Sequence, residues 1–194
     1  MSAIERIRAE RLVAVLRRVP EPDAVVDVLA RAGVGVVEVT LDDPDALAAI
    51  ERLRGRGDVT VLAGTVRTTV DVDASVAAGA EACVGPAFSG AVLARCLQLG
   101  VPAVPGALTP TEVEAAWRAG AALVKLFPAR LGGPAYVADL LKPLADVPLL
   151  CTGGVTPENA GAFLAAGAVA VGISAGADTD AAAAGRLVAA VRPR

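Results

Sequence analysis

Eight short apolar runs punctuate the chain, beginning at Leu12, Val36, Thr60, Glu81, Val101, Ala122, Pro148 and Ala168. They read LVAVL, VVEVT, TVLAG, EACVG, VPAVPG, ALVKLFP, PLLCTG and AVAVGIS, and an amphipathic helical stretch follows each. A strand–helix unit of roughly 20 to 26 residues, repeated over the whole length, admits few folds. Eight such units close into a single (β/α)8 TIM barrel over residues 1–194, with residues 2–10 predicted to add a helix at its bottom. A doubly wound open sheet is the alternative. Against it, no G-x-G-x-x-G follows the first run, and the halves carry no dinucleotide-domain signature. The chain is 55% hydrophobic but only 3% aromatic, so its core is built from Val, Leu, Ile and Ala. Such packing suits parallel strands covered by helices.

Helix punctuation agrees. Gly33, Gly79, Gly100, Gly120 and Gly167 each stand just before a strand, where a helix stop needs a left-handed residue. Thr109-Pro110-Thr111-Glu112 reads as a capping box, and Thr156-Pro157-Glu158-Asn159 as a second helix start.

Several function classes drop out. The net charge is −3 and no basic stripe occurs, so nucleic acid is not expected as a partner. No run of 18 apolar residues predicts a membrane span. The segment MSAIERIRAERL is charged rather than signal-like, so the expected location is cytoplasmic. Cys83, Cys96 and Cys151 are odd in number and far apart, as reduced core thiols are. There is no histidine, which removes Ser-His-Asp and Cys-His triads and His-based zinc sites. Acid–base work falls to other side chains. Lysine occurs only at Lys125 and Lys142 in a chain that otherwise uses arginine.

In a TIM barrel, chemistry lies at the C-terminal strand ends. Period-two alternation in VVEVT puts Val36, Glu38 and Thr40 on one face and Val37 and Val39 on the other. With the valines against helices, Glu38 points inward, either as a structural ion-pair member or as a general acid/base. The same parity turns Leu123, Lys125 and Phe127 inward from the sixth run, across the barrel from Glu38. Desolvation disfavours an ammonium there, and a neutral amine can attack a carbonyl to form an imine. The plainer reading makes Lys125 only the ion-pair partner of Glu38. Lys142 is read as a surface lysine. Gly153-Gly154 leads from the seventh run toward a helix start, and Gly172-Ile173-Ser174 follows in the eighth; both suit an anion site or ordinary tight turns. Arg17 could grip a carboxylate bidentately, with hydroxyls from Thr65 and Thr152 nearby.

These residues bring a family into view. VAVLR (13–17), GVGVVEVTL (33–41), LAGTV (62–66), PGALTPTE (105–112), VKLFPA (124–129), GGPAYVADL (132–140) and CTGGVTPEN (151–159) span nearly the whole chain. The sequence resembles the 2-keto-3-deoxy-6-phosphogluconate (KDPG) aldolases and their relatives, the 6-phosphogalactonate and 4-hydroxy-2-oxoglutarate aldolases. The resemblance implies a class I aldolase that cleaves a keto acid, usually homotrimeric, with no metal or organic cofactor. It implies Lys125 as the Schiff-base residue and Glu38 as the proton carrier. Arg17 and Thr65 would bind the pyruvyl carboxylate, Thr152 would lie beside substrate hydroxyls, and Pro86 would line the pocket. Gly153, Gly154, Gly172 and Ser174 would bind the phosphate.

Two departures stand out. Many members place an arginine directly after E-V-T-L; here that residue is Asp42, which leaves the carboxylate to Arg17. The galactonate branch also lacks that arginine, whereas Thr152 looks like the gluconate branch. The last run reads V-G-I-S instead of G-G-S. A thiamine-phosphate-synthase-like transferase would need magnesium ligands, for which Asp42 and Asp43 are the near candidates. A non-catalytic metabolite binder is the third alternative.

Overall fold

The computed structural model describes residues 1–192. Nine parallel strands are joined in the order β5-β4-β3-β2-β1-β9-β8-β7-β6. They are β1 Leu12–Leu16, β2 Val36–Thr40, β3 Thr60–Gly64, β4 Ala82–Val84, β5 Ala103–Val104, β6 Gly106–Ala107, β7 Val124–Leu126, β8 Leu149–Thr152 and β9 Ala170–Ala175. The helices are α1 Ala3–Glu10, α2 Pro22–Arg31, α3 Ala46–Leu53, α4 Thr69–Ala78, α5 Gly90–Gln98, α6 Pro110–Arg118, α7 Gly133–Leu141, α8 Ala160–Ala165 and α9 Ala181–Val191.

The ninth strand arises because the fifth apolar run breaks at Pro105, which has no N–H to give to a ladder. Its halves, β5 and β6, form the two edges of the sheet and are joined by that one residue. The edges therefore meet. Gly85 N–H donates to the Val104 carbonyl (3.0 Å) on one side, and Lys125 N–H donates to the Pro105 carbonyl (2.9 Å) on the other. The result is the expected TIM-type barrel with its fifth strand kinked. At the kink, a Cβ on Gly106 would lie 2.3 Å from the Pro86 carbonyl carbon, so only glycine fits.

Strand parity separates two apolar layers. Val13, Val36, Leu62, Leu123 and Leu150 fill the barrel, whereas Val37, Val39, Val124 and Leu126 pack under the helices. Helix α1 closes the bottom as expected. Ser2 and Glu5 form its capping box, Ile7 inserts fully buried among the inner residues, and Glu10 Oε2 accepts the Gly35 N–H at 2.7 Å. Burying such an isoleucine contributes about 1.5–3 kcal/mol.

All five glycines expected to stop helices have positive φ. The capping box at Thr109 and Glu112 is present. The second expected helix start moves: α8 begins at Ala160, because Asn159 Oδ1 accepts the Thr156 N–H (2.8 Å) and holds residues 157–159 in turns. Gly172 and Ser174, at the end of the eighth apolar run, lie inside β9, which continues to Ala175.

Candidate active site

Glu38 projects inward from β2 and Lys125 from β7. Lys125 Nζ donates to Glu38 Oε1 at 3.2 Å. Glu38 is 0% exposed and Lys125 6%. Their mutual attraction offsets part of the cost of desolvating both charges. The Lys125 ammonium also lies 5.5 Å from the centroid of the Phe127 ring, a cation–π contact.

Two glycines make room for the inward polar groups. A Cβ at Gly64 on β3 would lie 2.3 Å from Glu38 Oε1, and one at Gly172 would lie 2.6 Å from Thr152 Cγ2. Thr152, on β8, is buried. Its Oγ1 and Glu38 Oε2 are buried without hydrogen-bond partners. Each unpartnered buried oxygen costs about 1–3 kcal/mol, which a protein retains where a ligand or water completes the set.

At the rim, Arg17 is half-exposed beyond β1. Its Nη1 donates to Asp42 Oδ2, and its Nη2 reaches Thr65 Oγ1 at 3.4 Å. Burial pushes the Asp42 carboxyl up, but the Thr40 hydroxyl and the Arg17 guanidinium outweigh it and hold that carboxyl below its usual range. Thr65 itself sits at φ 60°, a left-handed conformation at the strand end.

Gly153 and Gly154 follow β8 with φ of 82° and 86°. The Phe127 ring edge abuts Gly153, where a Cβ would lie 2.8 Å away. One aromatic ring thus links the lysine to this turn. Ser174 shares the inward parity of Gly172 and is exposed at the mouth. Pro86 is half-buried in the loop against Gly106. Helix α9 carries Asp180 as its N-cap, so its first turn already holds a carboxylate (2.7 Å to Ala183 N). Lys142 is exposed on a helix end beside Asp139.

An inward Lys–Glu pair in a parallel barrel leaves the family open; the sequence comparisons decide it. The profile of the KDPG and KHG aldolase family matches residues 3–184. The chain belongs to that family. A 2-dehydro-3-deoxy-phosphogluconate aldolase of Treponema pallidum (strain Nichols) is 38% identical over 165 residues, 84% of this chain and 78% of that protein. A 2-dehydro-3-deoxy-6-phosphogalactonate aldolase of Escherichia coli (strain K12) is 34% identical over 167 residues, 84% and 82% of the two chains. A crystal structure of the 2-keto-3-deoxy-6-phosphogluconate aldolase of Zymomonas mobilis ZM4 with 3-phosphoglycerate superposes with a TM-score of 0.89 at 27% identity, covering 98% and 97%.

In this aldolase, some site features were not singled out from the sequence. Gly64 was visible only as a strand end, although its inward parity marks it as clearance for a neighbour. Phe127 shares the lysine's face but was not assigned a contact. Asp42 was read as a gap in carboxylate binding, and the structure makes it the partner of Arg17. Asp43 is occupied too, its Oδ1 accepting the Asp45 N–H at 3.0 Å. Among the described residues, no helix is long and apolar enough to cross a membrane.

Proposed function

We propose that the protein is a class I aldolase that reversibly cleaves 2-keto-3-deoxy-6-phosphogluconate to pyruvate and D-glyceraldehyde 3-phosphate. The observation that carries the Schiff-base reading is the buried Lys125–Glu38 pair, 3.2 Å apart, with the buried Thr152 hydroxyl left unpartnered.

Proton transfer from Lys125 to Glu38 neutralises the pair and gives a free amine and a carboxylic acid. The amine attacks the C2 ketone of the substrate. Glu38 returns its proton to the resulting hydroxyl, which leaves as water, and an iminium remains on Lys125. The Glu38 carboxylate then takes the C4 hydroxyl proton, directly or through a water. The C3–C4 bond breaks, its electron pair passes into the iminium, and the aldehyde departs from an enamine. Protonation at C3 and hydrolysis release pyruvate. The Phe127 ring stabilises the Lys125 nitrogen in its cationic forms, the resting ammonium and the iminium.

Arg17 binds the substrate carboxylate with the donors that Asp42 and Thr65 leave over, since a guanidinium has five. Thr152 Oγ1 meets a substrate hydroxyl, and Pro86 forms an apolar wall. The phosphate docks on the Gly153–Gly154 turn, with Ser174 beside it and Gly172 keeping Thr152 in place. Consecutive positive-φ glycines make a backbone concavity suited to an anion. The Zymomonas mobilis aldolase, solved with 3-phosphoglycerate, supports a phosphorylated ligand for this fold. We carry the homotrimer and the cytoplasmic location forward as part of the same proposal; light scattering on the purified protein checks the former.

Pyruvate release, followed by a coupled dehydrogenase, tests the substrate. The gluconate-type keto acid should be cleaved with higher kcat/KM than its C4 epimer or 4-hydroxy-2-oxoglutarate. A higher value for either competitor overturns the assignment within the family.

A further inference from the structure

The Gly153–Gly154 turn has a cationic neighbour that the family motifs do not assign. Arg130 lies in the 3-10 turn Ala129–Leu131, and its main-chain N–H donates to the Gly153 carbonyl at 3.0 Å. A Cβ on Gly154 would lie 2.5 Å from Arg130 Cβ, 3.1 Å from Cγ and 2.9 Å from Cδ. The aliphatic stem therefore runs along the bare face of Gly154. The guanidinium begins one bond past the methylene that touches the turn.

Charge at this end of the barrel is unevenly placed. Arg17 and Arg18 both lean on Asp42, Arg18 at 3.8 Å. Asp178 and Asp180 follow Ser174 in the loop to α9. Arg130 is exposed and enters no ion pair among the described residues. Helix α8 has only six residues and starts at Ala160, so its dipole adds little at the turn. Turn N–H groups supply partial charges, whereas a phosphate monoester brings nearly two negative charges.

We propose that Arg130 is a specificity-determining residue of this site, its guanidinium gripping the terminal phosphate over the Gly153–Gly154 turn. The inference rests on the phosphate assignment of that turn and adds the full positive charge the backbone lacks. A planar fork suits phosphate oxygens bidentately. Gly154 serves it by leaving space for the stem.

The test measures kcat/KM for the phosphorylated keto acid and for 4-hydroxy-2-oxoglutarate in wild type, Arg130→Ala, Arg130→Lys and Arg130→Glu. The ratio of the two values cancels any general loss of folded enzyme. Arg130→Ala should lower that ratio about tenfold, through KM for the phosphorylated substrate and with kcat changed less than about twofold. Arg130→Lys should fall between wild type and Arg130→Ala, and Arg130→Glu below both. A ratio unchanged in Arg130→Ala and Arg130→Glu overturns the role of Arg130 and leaves the turn assignment standing. A wild-type ratio near one overturns both.

Discussion

Glu38 and Lys125 are 87 residues apart in sequence, and their side chains meet at 3.2 Å inside the barrel. Neither residue is explained by local structure, because a charged side chain weakens an apolar strand unless something across the barrel answers it. Removing one partner leaves the other charge buried. Lys125→Met alone should cost about 3–5 kcal/mol of stability. The double variant Lys125→Met, Glu38→Gln should recover much of that loss. Denaturant unfolding of the four proteins measures the coupling; additive losses would show that the two groups do not interact.

Glu38→Gln keeps the shape of the side chain and removes its proton chemistry. The expected fall in kcat is about 10²- to 10⁴-fold, the usual worth of a positioned acid/base. Steady-state cleavage assays report it. A kcat within a few-fold of wild type would make Glu38 a structural partner only.

Gly64→Ala tests the clearance that the carboxylate needs. An added methyl would lie 2.3 Å from Glu38 Oε1. Overpacking of this kind costs about 1–3 kcal/mol. The side chain that must yield is the acid, so kcat should fall with stability. Thermal melts and cleavage rates, taken together, separate this from a change that leaves the acid in place.

The fold was largely legible in the sequence because its signals are local. Strand parity placed Glu38 and Lys125 inward, and helix-stopping glycines and capping residues marked the helix ends. The exceptions have identifiable causes. Pro105 splits the fifth strand by withholding an N–H, and Asn159 delays α8 by capping Thr156 with its side chain. Contacts between strand ends were less legible. That Asp42 faces Arg17, or that Gly64 faces Glu38, depends on register between strands, which no single segment encodes.

Thr152→Val should separate function from stability. It replaces a buried hydroxyl whose oxygen has no hydrogen-bond partner with a methyl of similar volume. Stability should hold or rise by about 1 kcal/mol, roughly 2–4 °C in Tm. Cleavage should slow because a substrate hydroxyl loses its contact. Calorimetry and kinetics on one preparation check both; a destabilised variant would mean the hydroxyl is already satisfied.

Asp42 gives a pH signature. Its carboxyl sits below its ordinary value in the folded protein, despite burial, because of Thr40 and Arg17. A lowered carboxyl contributes stability above the unfolded value, about 3.9, and that contribution disappears as pH falls through the folded value. Wild type should therefore exceed Asp42→Asn by about 0.5–1 kcal/mol at neutral pH, a modest figure because the pair is partly solvated. The gap should close as the pH falls from the unfolded value through the lower, folded one. A gap that is independent of pH would assign the effect to packing.

The most direct measurement is covalent capture on the nucleophile. The protein is incubated with pyruvate and borohydride, digested, and mapped by mass spectrometry, with Lys125→Arg in parallel. The account predicts a reduced pyruvyl adduct on Lys125 and none in the variant. An adduct on Lys142, or no adduct at all, would contradict it.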